Sequence, residues 1–275
     1  MSKKLRIGIL GAGTIGGFTL DAVMEGKVDN AEVAVVCGRS DKSKGRDKAV
    51  RYGIPWVTNP DLLLDYNLDV VVETASHEAL ETYGPKYLKA GIDVIPLSLG
   101  ALVDGNLLQD LIDSAREGGS TLHIPSGGIG GLDALQAALI AGVDKVTMTT
   151  RKAPIAWTNI PYVERMNIDL DNLQEPTLLY EGPARDCVKE FPQNINIAAA
   201  LSLAGIGFEK TQIRIIADPT VTYNTHEILV EGKAGRFRMI LENVPVPSNP
   251  RTTYMACLST VAALKRIGQG YRVGT

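Results

Sequence analysis

A glycine-rich turn near the start of the chain constrains the fold more than any other feature. The apolar run Leu5–Leu10 leads into Gly11-Ala12-Gly13-Thr14-Ile15-Gly16, and a helical pattern follows. A strand, a G-x-G-x-x-G turn and a helix in that order are the context that the dinucleotide-binding fingerprint requires. The glycines allow a tight turn, a close approach to a pyrophosphate and close helix packing. We therefore predict a dinucleotide site at the helix N-terminus, formed by Gly11, Gly13, Thr14, Ile15 and Gly16.

The composition is typical of a soluble globular protein with room for two domains. The chain has 275 residues, of which 45% are hydrophobic and 21% charged, and its net charge is -3. That charge gives no long-range attraction for nucleic acid or an anionic membrane, and no apolar segment has the length of a membrane span. The three cysteines are widely spaced, which argues against a disulfide framework or a structural zinc. We expect a cytoplasmic protein without a signal peptide or a metal.

The order of predicted elements divides the chain near Pro125. Before it, apolar strands alternate with helices, which predicts a parallel sheet covered on both faces, an α/β Rossmann domain over residues 1–125. We expect a C-terminal helix within residues 250–275 to complete this domain. Residues 126–249 predict an α+β substrate and dimerisation domain with a mixed, mostly antiparallel sheet. We also predict that Thr121–Ile124 is a strand, and that the strands Gln212–Ala217 and Val221–Glu231 are neighbours joined by a turn.

The loop after the second predicted strand bears on the choice of cofactor. NAD-binding folds carry an acidic residue about 20 positions past the glycines, which binds the ribose hydroxyls. The segment Val36–Lys42 has no carboxylate at that place. Arg39 and Ser40 could instead receive a 2′-phosphate, with Lys42 nearby, or they could form a solvated basic loop. Both NADP and NAD therefore remain candidates.

Small and hydroxylated residues follow the fourth and fifth predicted strands. The carboxyl ends of parallel strands line the nicotinamide side of such folds. These residues would let a cofactor lie close to the backbone, although Ser76 could serve only as a helix cap. The candidate residues are Ala75, Ser76, Ser98, Gly100 and Ala101.

Three histidines limit the candidates for acid–base chemistry near neutral pH. His77, near the start of a predicted helix, could simply be solvated, and we expect His123 to be structural. Strand alternation places Thr222, Asn224 and His226 on one face, where three polar side chains need water, a partner or a ligand. An exposed sheet face is the alternative explanation.

Polar and cationic residues later in the chain are candidates for holding a carboxylate or an amide. Asn194 and Asn196 open a predicted helix, which one of them can cap while the other binds a nicotinamide or a substrate. We expect Ser248–Thr252 to be a polar turn opening the last helix, where Arg251 and hydroxyls would bind a carboxylate. Arg151-Lys152 at a strand end is a further cation pair, unless it is simply solvated.

Taken together, these residues resemble the L-aspartate dehydrogenase family over almost the whole chain. Several separated motifs in the right order make the match specific. They are Gly11–Gly16, Ser98–Leu102, Ser126–Ala134, Pro192–Ala199, Asp218-Pro219 with Asn224–His226, and Asn249–Thr252.

The resemblance implies a homodimer formed through the sheet domain, with the catalytic histidine at His226 and a nicotinamide-side asparagine at Asn196. The family usually has alanine at the position of Gly128, where backbone contacts the cofactor; glycine there should be tolerated but loosens the loop. The residues implied to hold the dicarboxylate substrate are Asn194, Asn224, Arg251, Thr252 and Lys152.

The activity that the resemblance implies is NAD(P)-dependent oxidative deamination. L-Aspartate would give iminoaspartate, which water converts to oxaloacetate and ammonia, and the reverse reaction is reductive amination. His226 would move protons to and from the attacking water, and a pKa near neutrality would suit both directions. The product could feed NAD biosynthesis.

Two other functions remain open on the same scaffold. A homoserine- or dihydrodipicolinate-type oxidoreductase often uses a lysine as its acid, and Lys233 is the candidate in this chain. A nucleotide-binding protein without catalysis would lack the acid–base residue, whereas His226 is present.

Overall fold

The computed structural model describes residues 3–191, 196–269, 271, 273 and 274. These divide into two units. The first contains the described residues within Met1–Pro125 and Cys257–Arg272, and the second those within Ser126–Ala256 and Val273–Thr275. Among the described helices, none combines the length and the apolar character needed to cross a membrane.

The first unit is a parallel sheet with helical crossovers, and the predicted Rossmann-type α/β fold is confirmed. All of its strand pairs are parallel, in the order β3-β2-β1-β4-β5. The order reverses between β1 and β4, which is the switch point where such sheets bind ligands. The strands are β1 (Leu5–Leu10), β2 (Ala31–Cys37), β3 (Trp56–Val57), β4 (Val70–Glu73) and β5 (Asp93–Pro96). The helices are α1 (Thr14–Met24), α2 (Gly45–Arg51), α3 (His77–Lys89) and α4 (Gly105–Gly118), with 3-10 helices at Pro60–Tyr66 and Leu99–Val103.

The core of this unit explains why its strands are continuous apolar runs. Ile7 and Ile9 of β1 are fully buried because helices cover both faces of a parallel sheet. The last helix, α9 (Tyr254–Gly268), adds Val261 and Leu264 to the same core. The part of the C-terminal segment that belongs to this unit begins at Cys257 rather than at residue 250.

The second unit is built on a mixed sheet, and the predicted mostly antiparallel pairing is confirmed. Its strand order is β10-β9-β6-β8-β7, in which β6 and β8 are parallel and the other pairs antiparallel. These strands are β6 (Val143–Lys152), β7 (Thr177–Pro183), β8 (Gln212–Ala217), β9 (Asn224–Gly232) and β10 (Gly235–Asn243), and β11 (Pro245–Val246) pairs with β12 (Asn249–Thr253). The helices are α5 (Leu132–Ala141), α6 (Pro161–Arg165), α7 (Ala184–Glu190) and α8 (Asn196–Ala204), with 3-10 helices at Pro154–Trp157 and Leu170–Asn172.

Two predicted strand relationships are wrong. β8 and β9 are not neighbours, because β6 lies between them in the sheet. Alternation identifies each strand correctly but carries no information about its partner. The segment Thr121–Ile124 forms a single bridge, between Leu122 and Val94, and is not a strand.

The segment Ser248–Thr252 is also not the start of a helix. Residues Asn249–Thr253 form β12, which pairs with β11, and α9 begins only at Tyr254. The β-branched pair Thr252-Thr253 favours an extended backbone. Arg251 therefore lies on a short strand and not at a helix N-terminus.

Candidate active site

The glycine turn of the first unit has the geometry of a dinucleotide cradle. Gly11 has a φ of 95°, and a Cβ there would lie 2.8 Å from backbone atoms of Thr74 and Ala75. A Cβ on Gly16 would overlap the carbonyl oxygen of Gly11, whereas one on Gly13 would meet no atom within 4 Å. Packing therefore requires two of the glycines, and the third leaves open space where a pyrophosphate can approach.

The start of α1 suits an anion. Gly13 is the N-cap without a side-chain hydrogen bond, Thr14 and Ile15 form the first turn, and that turn contains no acidic residue. Helix N-termini carry partial positive charge from their backbone N–H groups. The loop and helix together fit the phosphates of a dinucleotide.

The loop after β2 reaches from the strand end back to the glycine turn. Arg39 and Ser40 are exposed, and the Ser40 N–H donates to Ser43 Oγ over 3.2 Å. Gly45, at the start of α2, packs so closely on Ala12 that a Cβ would overlap it. Arg39 and Ser40 therefore lie on a loop whose two ends are fixed beside the dinucleotide turn.

The predicted residues after β4 and β5 are brought together by a carboxylate that the sequence analysis missed. Glu73 accepts hydrogen bonds from the N–H groups of Ala75 and Ser76 and from the N–H and hydroxyl of Ser98. Ser76 also caps α3, since its Oγ accepts from the Ala79 N–H over 3.1 Å. Gly100 and Ala101 follow in the 3-10 helix Leu99–Val103.

In the second unit, polar side chains gather at one end of the buried sheet face. Alternation points Thr150 and Lys152 inward at the end of β6, and Asn224 and His226 inward at the start of β9. The strands are antiparallel, so these ends meet, and Thr150 lies opposite His226. Asn243 of β10 lies opposite Asn224 and is also buried. Thr222 was predicted to share this face, but it precedes β9 and is exposed.

His226 is held as a neutral, oriented imidazole. It is 2% exposed, and its Nδ1 lies 3.1 Å from the hydroxyl of Thr150. Burial and, second, the charge of Lys152 lower the pKa of His226 to about 3. The expectation of a near-neutral pKa is therefore wrong for the ligand-free chain, because the imidazolium would be desolvated beside a cation.

Lys152 is a buried cation beside an aromatic ring. It is 3% exposed, so the alternative of a solvated strand end is wrong, and its Nζ lies 5.0 Å from the ring centroid of Trp157. Burial, followed by repulsion from Arg251, lowers the pKa of Lys152 to about 8. Arg251 is partly buried and donates to the Thr158 carbonyl over 2.8 Å. Lys152 thus lies close to the imidazole and Arg251 close to Lys152, an arrangement that suits an anionic ligand.

The glycine-rich segment after residue 125 packs against the same cluster. Asn243 Nδ2 donates to the Gly128 carbonyl over 2.6 Å. A Cβ on Gly128 would lie 3.2 Å from Asn243 Nδ2, 3.4 Å from Thr253 Oγ1 and 3.8 Å from His226 Nε2. Gly128 therefore lies on the Nε2 side of the imidazole, where an alanine would fit tightly.

The remaining predicted residues are placed as follows. Asn224 Nδ2 donates to the Pro250 carbonyl over 3.2 Å, and Thr252 Oγ1 accepts from Asn249 Nδ2 over 3.2 Å. Asn196 is the first residue of α8, and Asn194 lies outside the described residues. Lys233 is exposed in the turn after β9, at the other end of that strand from His226. The described residues contain no group of three or more His, Cys, Asp or Glu that could hold a metal ion.

Three residues of these sites escaped the sequence analysis: Thr150, Asn243 and Glu73. Val146 and Met148 are apolar and alternate along β6, so the same alternation could have identified Thr150 as a residue that points inward. Asn243 needed the register of β10 on β9. Glu73 ends an apolar strand and had no signal beyond its charge.

Each of the two units matches a model of a known protein family. The family model described as "Homoserine dehydrogenase, NAD binding domain" matches residues 11–125, and the one described as "Aspartate dehydrogenase, C-terminal" matches residues 133–267. The first unit is accordingly an NAD-binding domain.

Proteins named L-aspartate dehydrogenase match nearly the whole chain. The one from Methanosarcina mazei is 43% identical, with 98% of this chain and all of that protein covered. The one from Methanosarcina barkeri is 42% identical, again with 98% and 100% covered. The crystal structure of aspartate dehydrogenase from Thermotoga maritima has a TM-score of 0.77 and 25% identity, with 98% of this chain and 99% of that one covered. The chain therefore belongs to the L-aspartate dehydrogenase family.

Proposed function

We propose that this chain is an NAD(P)-dependent L-aspartate dehydrogenase. It oxidatively deaminates L-aspartate to iminoaspartate and then oxaloacetate, and catalyses the reverse reductive amination. The observation that carries the proposal is the buried cluster of the second unit, in which the charge of Lys152 acts on His226 and that of Arg251 acts on Lys152. A dicarboxylate needs concentrated positive charge, and deamination needs a base that can bind protons from water.

Lys152 and Arg251 hold the two carboxylates of the substrate. A carboxylate beside Lys152 restores the stability of its ammonium, which burial and Arg251 weaken in the free chain. Thr252 and Asn224 lie in and beside β12, from which Arg251 projects, and they add neutral donors. Asn194 lies outside the described residues, and its assignment to the substrate rests on the sequence alone.

His226 acts as the base in the hydrolytic half of the reaction, because a bound dicarboxylate offsets the charge of Lys152, which, after burial, is the second cause of the low pKa of His226 in the free chain. If Thr150 Oγ1 accepts from Nδ1–H, the lone pair of Nε2 is left on the side of Gly128. Nε2 takes a proton from water as the water oxygen bonds to C2 of iminoaspartate. The imidazolium then returns that proton to the amino group of the carbinolamine formed from the protonated imine. As the C2–N bond breaks and ammonia leaves, Nε2 takes the hydroxyl proton, and the C2–O bond becomes the carbonyl of oxaloacetate.

The dinucleotide supplies the hydride acceptor for aspartate oxidation and the hydride donor for the reverse direction. The residues that would hold its phosphates and adenosine ribose are Gly11, Gly13, Thr14, Ile15, Gly16, Arg39 and Ser40. In the first unit, the residues that would lie on the nicotinamide side are Ala75, Ser76, Ser98, Gly100 and Ala101. In the second unit, Gly128 and Asn196 are assigned to the cofactor by the family resemblance. The open space at Gly13 and the uncapped start of α1 support this assignment.

A substrate panel tests the proposal. Oxaloacetate with ammonia, and separately L-aspartate and homoserine, are assayed with both NAD and NADP couples by absorbance at the nicotinamide band. We expect turnover of oxaloacetate plus ammonia and of L-aspartate. Turnover of homoserine alone would favour the homoserine-type alternative, whose family model matches the first unit. Dinucleotide binding without turnover of any amino acid would favour a non-catalytic protein.

We further infer a cytoplasmic homodimer whose product feeds NAD biosynthesis. Free, buried thiols at Cys37, Cys187 and Cys257 suit a reducing compartment. Exposed apolar side chains on and after β10, Ile240 and Val244, are candidates for a subunit interface. Light scattering on the purified protein would test the dimer.

A further inference from the structure

The most unusual buried group of the first unit is the carboxylate of Glu73. Glu73 is the last residue of β4 and is 1% exposed. Oε1 accepts from the Ala75 N–H at 2.7 Å, the Ser76 N–H at 3.0 Å and the Ser98 hydroxyl at 2.9 Å. Oε2 accepts from the Ser98 N–H at 3.2 Å. One side chain thus joins the segment after β4 to the segment after β5.

These contacts favour the carboxylate form and oppose the larger effect of burial, which disfavours it. All four partners are donors, so an ionised carboxylate can satisfy each of them. Within the described residues Glu73 forms no salt bridge, and burial raises its pKa. Apolar residues of similar size often stabilise a core as well as a buried charge does. Packing alone therefore gives no reason for a glutamate here.

The segment that Glu73 holds also supports the dinucleotide turn. Gly11 packs directly on the backbone of Thr74 and Ala75, and Thr74 Oγ1 donates to the Gly11 carbonyl over 2.7 Å. β4 is the strand beside β1 at the switch point of the sheet. A shift of Ala75 would therefore displace the backbone against which the glycine turn packs.

We propose that Glu73 is a positioning residue for the dinucleotide. Its carboxylate fixes the backbone of Ala75 and Ser76 against the glycine turn and fixes Ser98 beside them, so that this side of the cofactor site is formed before the cofactor arrives. Preformed sites bind more tightly because less ordering accompanies binding. The inference rests on the cofactor part of the proposed function, and L-aspartate takes no part in it.

The test compares Glu73→Gln and Glu73→Asp with the unchanged chain. A glutamine places an NH2 group where one carboxylate oxygen accepted hydrogen bonds. A shorter aspartate can still accept from the N–H groups of Ala75 and Ser76, but it loses the hydrogen bonds from Ser98. Dissociation constants for NADH and NADPH are measured by fluorescence in the absence of substrate. Amide hydrogen exchange is followed at Ala75, Ser76 and Ser98. The exposed Glu78→Gln, in the first turn of α3, removes the same charge nearby and is the matched control.

We expect Glu73→Gln to weaken dinucleotide binding roughly tenfold, since a buried donor is left unsatisfied. The affinity of the Glu73→Asp protein should lie between that of Glu73→Gln and that of the unchanged chain, and Glu78→Gln should bind normally. In Glu73→Gln, amide exchange should be faster at Ala75, Ser76 and Ser98. At saturating cofactor, the KM for L-aspartate should stay within about twofold.

Two results would overturn the inference. The first is a Glu73→Gln protein that melts at a lower temperature yet binds NADH as tightly as the unchanged chain. The second is an equal loss of affinity for NADH and for a dicarboxylate. If the unchanged chain bound neither dinucleotide, the proposed function would fall as well, so the two failures can be told apart.

Discussion

The hydroxyl of Thr150 lies 3.1 Å from Nδ1 of His226, on the neighbouring antiparallel strand and directly opposite it in register. Both side chains are buried. Such a contact fixes the ring orientation and decides which nitrogen carries the proton, as carboxylates and carbonyls do for other functional histidines. The nitrogen on the side of Gly128, Nε2, is then the one that can exchange protons.

Replacing Thr150 with valine should impair catalysis without changing the shape of the site. Valine keeps the shape but removes the partner of Nδ1, so the proton equilibrates between the two nitrogens and the ring loosens. We expect kcat to fall about five- to tenfold, which corresponds to the free energy of about one hydrogen bond. Thr150→Ser keeps the hydroxyl and should retain most of the activity. Thr149→Val, one position away on the opposite face of β6, is the control in steady-state assays. A Thr150→Val enzyme with full turnover would remove this role.

Replacing His226 with asparagine should abolish most turnover while leaving cofactor binding intact. Loss of a general base typically costs about 10²–10⁴-fold in rate. The measurement pairs kcat for oxaloacetate plus ammonia with the Kd for NADH. His123→Asn is the control, because His123 bonds to Asp93 in the first unit, outside the polar cluster. Full turnover in a His226→Asn enzyme that binds NADH normally would contradict the proposed mechanism.

Dicarboxylate binding should weaken as the pH rises through about 8, the pKa to which burial and Arg251 lower Lys152. Below that pH the ammonium is present and attracts a carboxylate; above it the neutral amine does not. Succinate is a suitable probe, since it has both carboxylates and no amino group. Its inhibition constant should rise by up to about tenfold for each further pH unit.

Two lysine variants sharpen that experiment. Lys152→Met should bind succinate weakly at every pH, and it should fold because an apolar side chain often replaces a buried charge without loss of stability. Lys145→Met, on the exposed part of β6, should keep the pH dependence of the unchanged enzyme. A flat profile in the unchanged enzyme would show that Lys152 does not hold a carboxylate.

The parts of this protein that could be predicted from sequence are those fixed by neighbouring residues. β1, the glycine turn and α1 follow each other directly, and the motif requires that order. The inward phase of Asn224 and His226 likewise follows from alternation within one strand. Thr150 became part of the site only through the register between β6 and β9, which alternation does not determine.

The errors have the same physical origin. The positions of β8 and β9 depend on β6 entering between them, a pairing of segments far apart in sequence. Arg251 was assigned to a helix because polar residues preceded an apolar helical pattern, yet pairing with β11 extends that segment into β12. Burial also decided the protonation of His226, and no sequence pattern reports how much water surrounds a side chain.

The three glycines of the dinucleotide turn should respond differently to alanine. A Cβ on Gly13 meets no atom within 4 Å, so Gly13→Ala should keep its melting temperature yet bind NADH and NADPH at least about tenfold more weakly, because the methyl group occupies the space of the pyrophosphate. Gly16→Ala should lower the melting temperature, since its Cβ overlaps the Gly11 carbonyl. Normal NADH affinity in Gly13→Ala would place the phosphates elsewhere.

The basic loop after β2 should favour the phosphorylated cofactor. Arg39 and Ser40 are exposed beside the dinucleotide turn, and an arginine binds a 2′-phosphate through two parallel hydrogen bonds that a ribose hydroxyl cannot match. We expect Arg39→Ala to raise the KM for NADPH about tenfold and to change the KM for NADH by less than about twofold. Arg51→Ala, an exposed arginine at the end of α2, removes the same charge from the same unit and should change neither value. Equal effects of Arg39→Ala on both cofactors would mean that the loop attracts the dinucleotide only through its net charge, and raising the salt concentration would then abolish the effect of the substitution.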